Sequence, residues 1–263
     1  ILKTSSVAWI LTGIIITLFY FVLQGFMYKM SFATVGKKVR ISSTILLFLK
    51  RNFISIFMPA GGVASLAFFT EEIEEEGDSK SKIHLASSIN AFSGILSVIA
   101  VAIPIVIYAL ARGVSGSAEI LALITMMLMV ALIYAAYRSV EKKKLLFRII
   151  VRAVPSAEVF INEIFSHSID RKHLVYTILV SVIIDITCIF LIFVAMMALG
   201  LKASLFYAML GYLASIFSAL VSPFMRGLGA VELSMSFILA KLGYSGVEAL
   251  AITLMYRFFE FWF

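Results

Sequence analysis

Two long apolar segments of this chain are each interrupted by residues that stop an α-helix, and these breaks restrict the folds open to it. The segments are Ile41–Thr70 and Ala203–Leu242. The residues that break them are Pro59, Gly61 and Gly62 in the first, and Pro223, Gly227 and Gly229 in the second. Inside a bilayer, non-helical backbone is tolerated only where protein or a wet cavity satisfies its N–H and C=O groups. A pair of interrupted hydrophobic segments, one in each half of a chain, is typical of a transporter-type binding site.

The composition places the chain in a membrane. Hydrophobic residues make up 62% of its 263 residues and charged residues 14%, whereas soluble domains have about 45–50% apolar and about 25% charged residues. A helical crossing needs about 20 apolar residues. This length predicts spans at Val7–Tyr28, Ile83–Leu110, Ala118–Tyr137 and Leu174–Leu199, with a truncated one at Val247–Phe263. We therefore predict an all-α integral membrane protein, a polytopic helical bundle with two re-entrant broken-helix hairpins.

The basic residues predict how the hairpins are oriented. The net charge is +7, and the most basic loops are 29–40 and 138–173. The positive-inside rule places both loops on the cytoplasmic face, which requires Ile41–Thr70 to enter and leave on one side. Ala203–Leu242 then starts from the opposite face. The two hairpins would thus approach the midplane from opposite sides, as in an inverted repeat.

Charged residues inside apolar segments are costly and usually face the protein interior or water. We predict a polar cleft that binds a lipid headgroup, lined by Lys50, Arg51, Asn52, Asp185, Arg226, Glu232 and Arg257. Near the first break, two cations beside helix-start N–H groups suit a phosphate. The alternative is that Lys50 and Arg51 extend to the cytoplasmic interface.

At the second break, Arg226 suits a phosphate and Glu232 a cationic group, and a short helix is expected from Ala230. The alternative is an Arg226–Glu232 pair that only fixes the hairpin. A carboxylate within a span would be neutral unless paired, so Asp185 is expected to pair with Arg257 or Arg51, or to bind a proton or cation. Arg257 and Glu260 are spaced to pair on one helix.

No catalytic, P-loop or metal-ligand motif occurs in the sequence. We therefore predict no catalytic residue, no metal and no cofactor in these residues.

The residues around the breaks resemble those of a known family. The stretches that carry the resemblance are Asn52–Gly62, Gly227–Glu232, Leu242–Leu250 and Leu254–Arg257. They are similar to the lysylphosphatidylglycerol synthase transmembrane region, the flippase-like domain of multiple peptide resistance factors and of related stand-alone prokaryotic proteins. The resemblance implies one flippase-like domain over residues 1–263, multi-pass in a prokaryotic cytoplasmic membrane. It would move an aminoacylated phospholipid, such as lysyl-phosphatidylglycerol, between leaflets.

The resemblance also implies a longer protein. In full-length family enzymes, a following cytoplasmic domain transfers an amino acid from aminoacyl-tRNA to phosphatidylglycerol, and the product repels cationic antimicrobial peptides. The chain begins without Met and ends within an apolar run, so we expect a fragment. Transferase activity and the tRNA partner would belong to the missing domain. A homodimer stays open.

Three other functions remain open at this point. The chain could be the membrane half of a lipid aminoacyltransferase that only presents substrate. It could be an ion-coupled small-solute transporter with Asp185 as the coupling site. It could also carry a polyprenyl phosphate or a glycolipid.

Overall fold

The computed structural model describes residues 6–55, 80–111, 169–222 and 227–262, with isolated positions between 138 and 152. Its helices are α1 Val7–Thr34, α2 Ile41–Ser55, α3 Lys80–Ala111, α4 Arg171–Ala198, α5 Leu205–Val221, α6 Ala230–Lys241 and α7 Gly246–Arg257, which continues as the π-helical turn Phe258–Trp262. Three helices are long and apolar enough to cross a membrane, over Val7–Thr34, Lys82–Ala109 and Arg171–Ala198. The described part is therefore an all-α membrane bundle, as predicted. The predicted span Ala118–Tyr137 lies outside the described residues.

The bundle buries hydroxyl groups and exposes large apolar side chains, as a protein surrounded by lipid does. On α1, residues spaced three to four apart are about half exposed or more: Val7, Leu11, Ile15, Leu18 and Val22. Inside the bundle, several small polar side chains are almost fully buried: Thr17, Ser31, Ser93, Ser97, Thr177 and Ser181. This arrangement agrees with lipid outside and helix–helix contacts through small and polar residues inside.

Helix α4 is the centre of the fold and contacts α1, α3, α5 and α7. It runs antiparallel to α1 along its whole length, because hydrogen bonds join both pairs of ends. The Ser6 N–H donates to the Ala198 carbonyl at 2.9 Å, and the Asp170 N–H donates to the Thr34 carbonyl at 3.0 Å. We call the end where α1 finishes and α4 begins the lower end, and the opposite one the upper end.

Helix α3 runs in the same direction as α4. Asn90 contacts Ser31 near the lower end of α1, Ser97 contacts Ser181 in the middle of α4, and the Tyr108 ring meets that of Phe206, which follows α4. Helix α3 thus begins at the lower end. Since α1 finishes there, Thr34 and Lys80, the two described residues nearest the segment 35–79 on either side, both lie at the lower end.

Helices α5 and α6 form an antiparallel pair that starts and finishes at the upper end. The Ser234 hydroxyl donates to the Ala214 carbonyl at 3.2 Å, and a Cβ on Gly227 would lie 2.9 Å from Ala219 Cα. With 17 and 12 residues, the helices are about 25 Å and about 18 Å long. Both are shorter than the hydrocarbon core of about 30 Å.

Candidate functional site

One face of α3 carries a line of buried polar side chains, which we call the polar seam: Ser87, Asn90, Ser93 and Ser97. They recur every three to four residues, so they lie on one side of the helix. The seam touches three neighbouring helices. Arg51 of α2 donates to the Ser87 hydroxyl at 2.9 Å, the Ser31 hydroxyl donates to Asn90 Oδ1 at 3.1 Å, and Ser97 and Ser181 share a hydrogen bond of 2.7 Å.

The predicted site residues near the first break fall at the lower part of this seam. Arg51 is only 2% exposed, and its guanidinium also lies 5.5 Å from the centre of the Tyr28 ring. Lys50 and Asn52 are half-buried on the same helix. The Arg51 side chain is therefore enclosed by neighbouring helices. The break residues Pro59, Gly61 and Gly62 lie outside the described residues.

Asp185 lies at the upper part of the seam, in the middle of α4. It is 6% exposed, and its Oδ1 accepts a hydrogen bond of 2.6 Å from the Tyr212 hydroxyl of α5. Ser97 lies beside the carboxylate, yet no group among the described residues reaches Oδ2 in hydrogen-bonding geometry. The expected pairing of Asp185 with Arg257 or Arg51 is therefore wrong. The partner is a neutral phenol, because α5 packs against this face of α4.

The turn into α6 is built from two glycines in the left-handed region, Gly227 with φ +71° and Gly229 with φ +82°. This conformation is strained for residues with a Cβ. Helix α6 then begins at Ala230, as predicted. The Gly229 N–H donates to Glu232 Oε2 at 2.7 Å, so a carboxylate satisfies an N–H group at the helix start. Pro223 and Arg226 lie outside the described residues.

Three charged side chains meet beside this turn: Glu232, Arg257 and Glu260, which we call the tip cluster. Arg257 Nε donates to Glu232 Oε1 at 2.8 Å, and another of its nitrogens donates to Glu260 Oε2 at 3.2 Å, as its i, i+3 spacing predicts. The Arg257 side chain is 4% exposed. It lies at the end of the 12-residue α7, about 18 Å along that helix from its start at the upper end. The cluster is therefore deep in the bundle.

A cavity of about 620 Å³ opens at the upper end, and we call it the upper cavity. Its walls include four aromatic rings, those of Tyr108, Phe206, Tyr207 and Tyr244, together with Lys202 and Glu248. Consecutive rings stand 5.2 to 6.2 Å apart between centres. The Tyr244 hydroxyl donates to the Lys202 carbonyl and ties the loop after α6 to the loop after α4.

An apolar groove of about 510 Å³ adjoins the upper cavity. It lies between α3, α4 and α5, and its walls include Pro104, Ile186 and Met209. The groove and the cavity share Tyr108 and Phe206. The upper cavity, which has one positive and one negative side chain in its walls, is thus joined to the apolar groove. This pairing matches the polar and apolar halves of an amphiphile.

Sequence reasoning missed the polar seam, Tyr212 and the upper cavity. The seam had a signal, since its members are spaced at helical intervals within the apolar run Ile83–Leu110. The cavity had none, because its walls come from loops and helix ends distant in sequence. Within the described residues, no three His, Cys, Asp or Glu side chains are placed to hold a metal ion.

The helices and buried charges define a polytopic membrane protein with polar groups at the centre of its bundle. The family model described as the lysylphosphatidylglycerol synthase TM region matches residues 1–263, the whole chain, so the chain belongs to that family. No curated protein and no solved structure matches it. The family is that of the predicted resemblance, and it relates this membrane domain to the synthesis or flipping of lysylphosphatidylglycerol.

Proposed function

We propose that the chain moves a phospholipid with an aminoacylated headgroup, such as lysyl-phosphatidylglycerol, between the leaflets of a prokaryotic cytoplasmic membrane. The observation that carries this proposal is the α5–α6 pair. Its helices are shorter than the hydrocarbon core, and the Gly227–Gly229 turn into α6 lies at the tip cluster deep in the bundle. Polar backbone and buried charge at that depth lower the barrier to a headgroup whose acyl chains stay in lipid.

The α5–α6 pair is, in this proposal, the second of two re-entrant hairpins. For the first, the supporting observation is that Thr34 and Lys80, which flank residues 35–79, both lie at the lower end, as an entering and returning segment requires. The pair α5–α6 starts from the upper end. Hairpins from opposite faces would be related as an inverted repeat, with the substrate path where they approach each other.

The upper cavity is suited to the headgroup on one side of the membrane. Lys202 supplies a cation for the phosphate. Aromatic rings and the Glu248 carboxylate favour an ammonium group, which the rings attract by cation–π interaction. The adjoining groove has the apolar walls that an acyl chain needs. An aminoacylated phosphatidylglycerol carries a phosphate, an ammonium group and acyl chains.

The test uses the purified chain in liposomes of phosphatidylglycerol with a small share of lysyl-phosphatidylglycerol. A membrane-impermeant amine reagent labels only the outer leaflet at first. We expect labelling to continue to near completion when the chain is present, and to stop at the outer-leaflet share in protein-free liposomes. Identical labelling with and without the chain would remove translocation from its functions.

The headgroup site is tested with two lysines at the upper end. Lys202 lines the upper cavity, whereas Lys241 is exposed at the end of α6 and lies over the Phe237 ring. We expect Lys202→Gln to slow labelling several-fold and Lys241→Gln to leave it unchanged. Equal rates for both variants would move the headgroup path away from the upper cavity.

Transfer of an amino acid from aminoacyl-tRNA would fall to a cytoplasmic domain following this region in a longer protein. Under that arrangement the membrane chain exports the product and contributes to resistance against cationic antimicrobial peptides.

A further inference from the structure

Asp185 has an unused hydrogen-bonding atom in the middle of the bundle. Asp185 is 6% exposed. Its Oδ1 accepts a hydrogen bond from Tyr212, and its Oδ2 has no hydrogen-bond partner among the described residues. It lies 14 residues from the start of the 28-residue α4, about 21 Å along the axis. An unpartnered carboxylate oxygen at that depth is costly in the charged form, and a proton on Oδ2 removes the charge.

The groups that face Asp185 do not supply a compensating cation. Among the described residues, those that act on its carboxyl group are Ser97 from α3 and Tyr212 from α5, and both are neutral. The other titratable groups beside Tyr212 are Cys188 on α4 and Tyr256 on α7, which are also neutral when protonated. A proton is therefore the cation that this pocket favours.

The polar seam connects Asp185 with the lower end. Going down α3, the groups are Ser97 beside Asp185, then Ser93, Asn90 and Ser87, which Arg51 contacts. They cover ten residues, or about 15 Å. The Ser93 hydroxyl is buried with no partner among the described residues, and Ser97 is hydrogen-bonded to Ser181. Neighbouring members of the seam lie about 5–6 Å apart on the helix face, a gap that a single water can bridge by hydrogen bonds. Hydroxyl groups both donate and accept hydrogen bonds, so the line can pass a proton once water fills these gaps.

We propose that Asp185 is a proton-binding site that couples lipid movement to a proton gradient, and that it loads from the lower end through the polar seam. One proton adds to the Asp185 carboxylate and leaves as the carboxyl group ionises, so the cycle consumes no other reactant. The coupling part of this proposal rests on the proposed lipid translocation. The proton site at Asp185 does not.

The proton site is tested without lipid movement. Infrared difference spectra between high and low pH, recorded on the reconstituted chain, report the C=O band of a carboxyl group that gains a proton. We expect one such band to disappear in Asp185→Asn and to persist in Asp170→Asn, which makes the same change at the exposed start of α4. A spectrum unchanged by Asp185→Asn would overturn the proton site.

Coupling is tested by imposing a pH difference across liposomes in the labelling assay. One proton moved per lipid biases the leaflet distribution by up to about tenfold per pH unit. We expect that bias in the native chain and an even distribution in Asp185→Asn. A bias that follows a sodium gradient at equal pH, or no bias in a chain that still moves lipid, would overturn coupling while leaving translocation intact.

The seam is tested by paired serine variants of α3. Ser97→Ala removes a seam hydroxyl, whereas Ser88→Ala removes an exposed one that donates to the His84 carbonyl. We expect Ser97→Ala to slow proton uptake several-fold, measured with a pH dye after a rapid acid step, and Ser88→Ala to leave it unchanged. Equal rates would overturn loading through the seam. If Asp185→Asn does not fold, Tyr212→Phe replaces it in the infrared measurement, because it removes the hydrogen bond to Asp185 Oδ1; the C=O band should then shift in frequency, and a band that does not move would overturn the proton site.

Discussion

Two carboxylates deep in the bundle, Glu232 in the tip cluster and Asp185 at the polar seam, are held in opposite ways. Both oxygens of Glu232 accept hydrogen bonds, one from the Gly229 N–H and one from Arg257. Asp185 has a single bonded oxygen, and its donor is the neutral Tyr212. The first site fixes a negative charge beside a positive one, and the second leaves room for a proton.

The difference separates a carboxylate whose charge is fixed by its neighbours from one that can gain and lose a proton. A fully bonded carboxylate beside a buried arginine holds the turn into α6, and it gains nothing from changing its charge. A half-bonded carboxylate can change its charge with little rearrangement of its neighbours. Replacing each acid by its neutral amide therefore distinguishes the two sites.

The largest effect is expected for Glu232→Gln. Breaking one partner of a buried ion pair costs about 3–5 kcal/mol, and we expect about 3 kcal/mol here because Glu260 still accepts from Arg257. Asp185→Asn should cost less than about 1 kcal/mol, since the amide oxygen can still accept from Tyr212. The measurement is thermal unfolding of the purified variants in detergent.

Glu248→Gln provides the matched control for that pair. Glu248 accepts from the Ser245 N–H at the exposed start of α7, so the same substitution there should change stability little. If Asp185→Asn unfolds at as low a temperature as Glu232→Gln, the contrast between the two sites is wrong, because the fold would then require the Asp185 charge.

A smaller effect is expected from the glycines of the turn. Gly227→Ala places a Cβ 2.9 Å from Ala219 Cα and in a left-handed conformation, whereas Gly229→Ala carries only the conformational cost of about 1–2 kcal/mol. Gly211→Ala lies within α5, where the nearest atoms are at 3.6 Å, so helix propensity should make it neutral or slightly stabilising. The unfolding midpoint should therefore be highest for Gly211→Ala, lower for Gly229→Ala and lowest for Gly227→Ala.

That order tests two features of the turn into α6, its left-handed backbone and its close approach to α5. If Gly227→Ala and Gly229→Ala are equally destabilising, the backbone conformation alone matters and the close approach of the turn to α5 does not. If neither variant is less stable than Gly211→Ala, then Gly227 and Gly229 do not have the left-handed backbone conformation described above.

Local sequence patterns predicted the parts of this molecule that depend on neighbouring residues. Apolar length gave the long helices, glycine spacing gave the start of α6 at Ala230, and i, i+3 spacing gave the Arg257–Glu260 pair. Partners across the bundle were not predictable in the same way. Arg257 reaches Glu232 through the antiparallel packing of α6 and α7, and Asp185 meets Tyr212 because α5 folds back on α4.

The pattern of misses has a physical cause. A charge in an apolar segment signals that some partner exists, because burial without one is costly. It does not identify that partner, since a phenol, a hydroxyl or an opposite charge all satisfy the requirement. The polar seam was overlooked for a related reason: serines cost little in an apolar helix, so each one alone carries a weak signal.

A small effect is expected at a further carboxylate, Asp170, at the exposed start of α4. Its oxygens accept from the Lys172 N–H at 2.8 Å and contact His173 Nδ1 at 2.7 Å. The hydrogen bond with His173, followed by that from the Lys172 N–H, lowers the pKa of Asp170 below its ordinary value of 3.8. The charged form is thus favoured in the folded protein and stabilises the cap.

Because the folded pKa is the lower one, this stabilisation is present above the unfolded pKa and is lost as the pH falls through the folded pKa. We expect Asp170→Ala to lower the unfolding temperature slightly near neutral pH, and the difference from the native chain to shrink below about pH 4. Asp170→Asn keeps a capping side chain without a charge, so near neutral pH its unfolding temperature should lie between those of the native chain and Asp170→Ala. A difference that stays constant or grows in acid would mean that the Asp170 charge does not stabilise the start of α4.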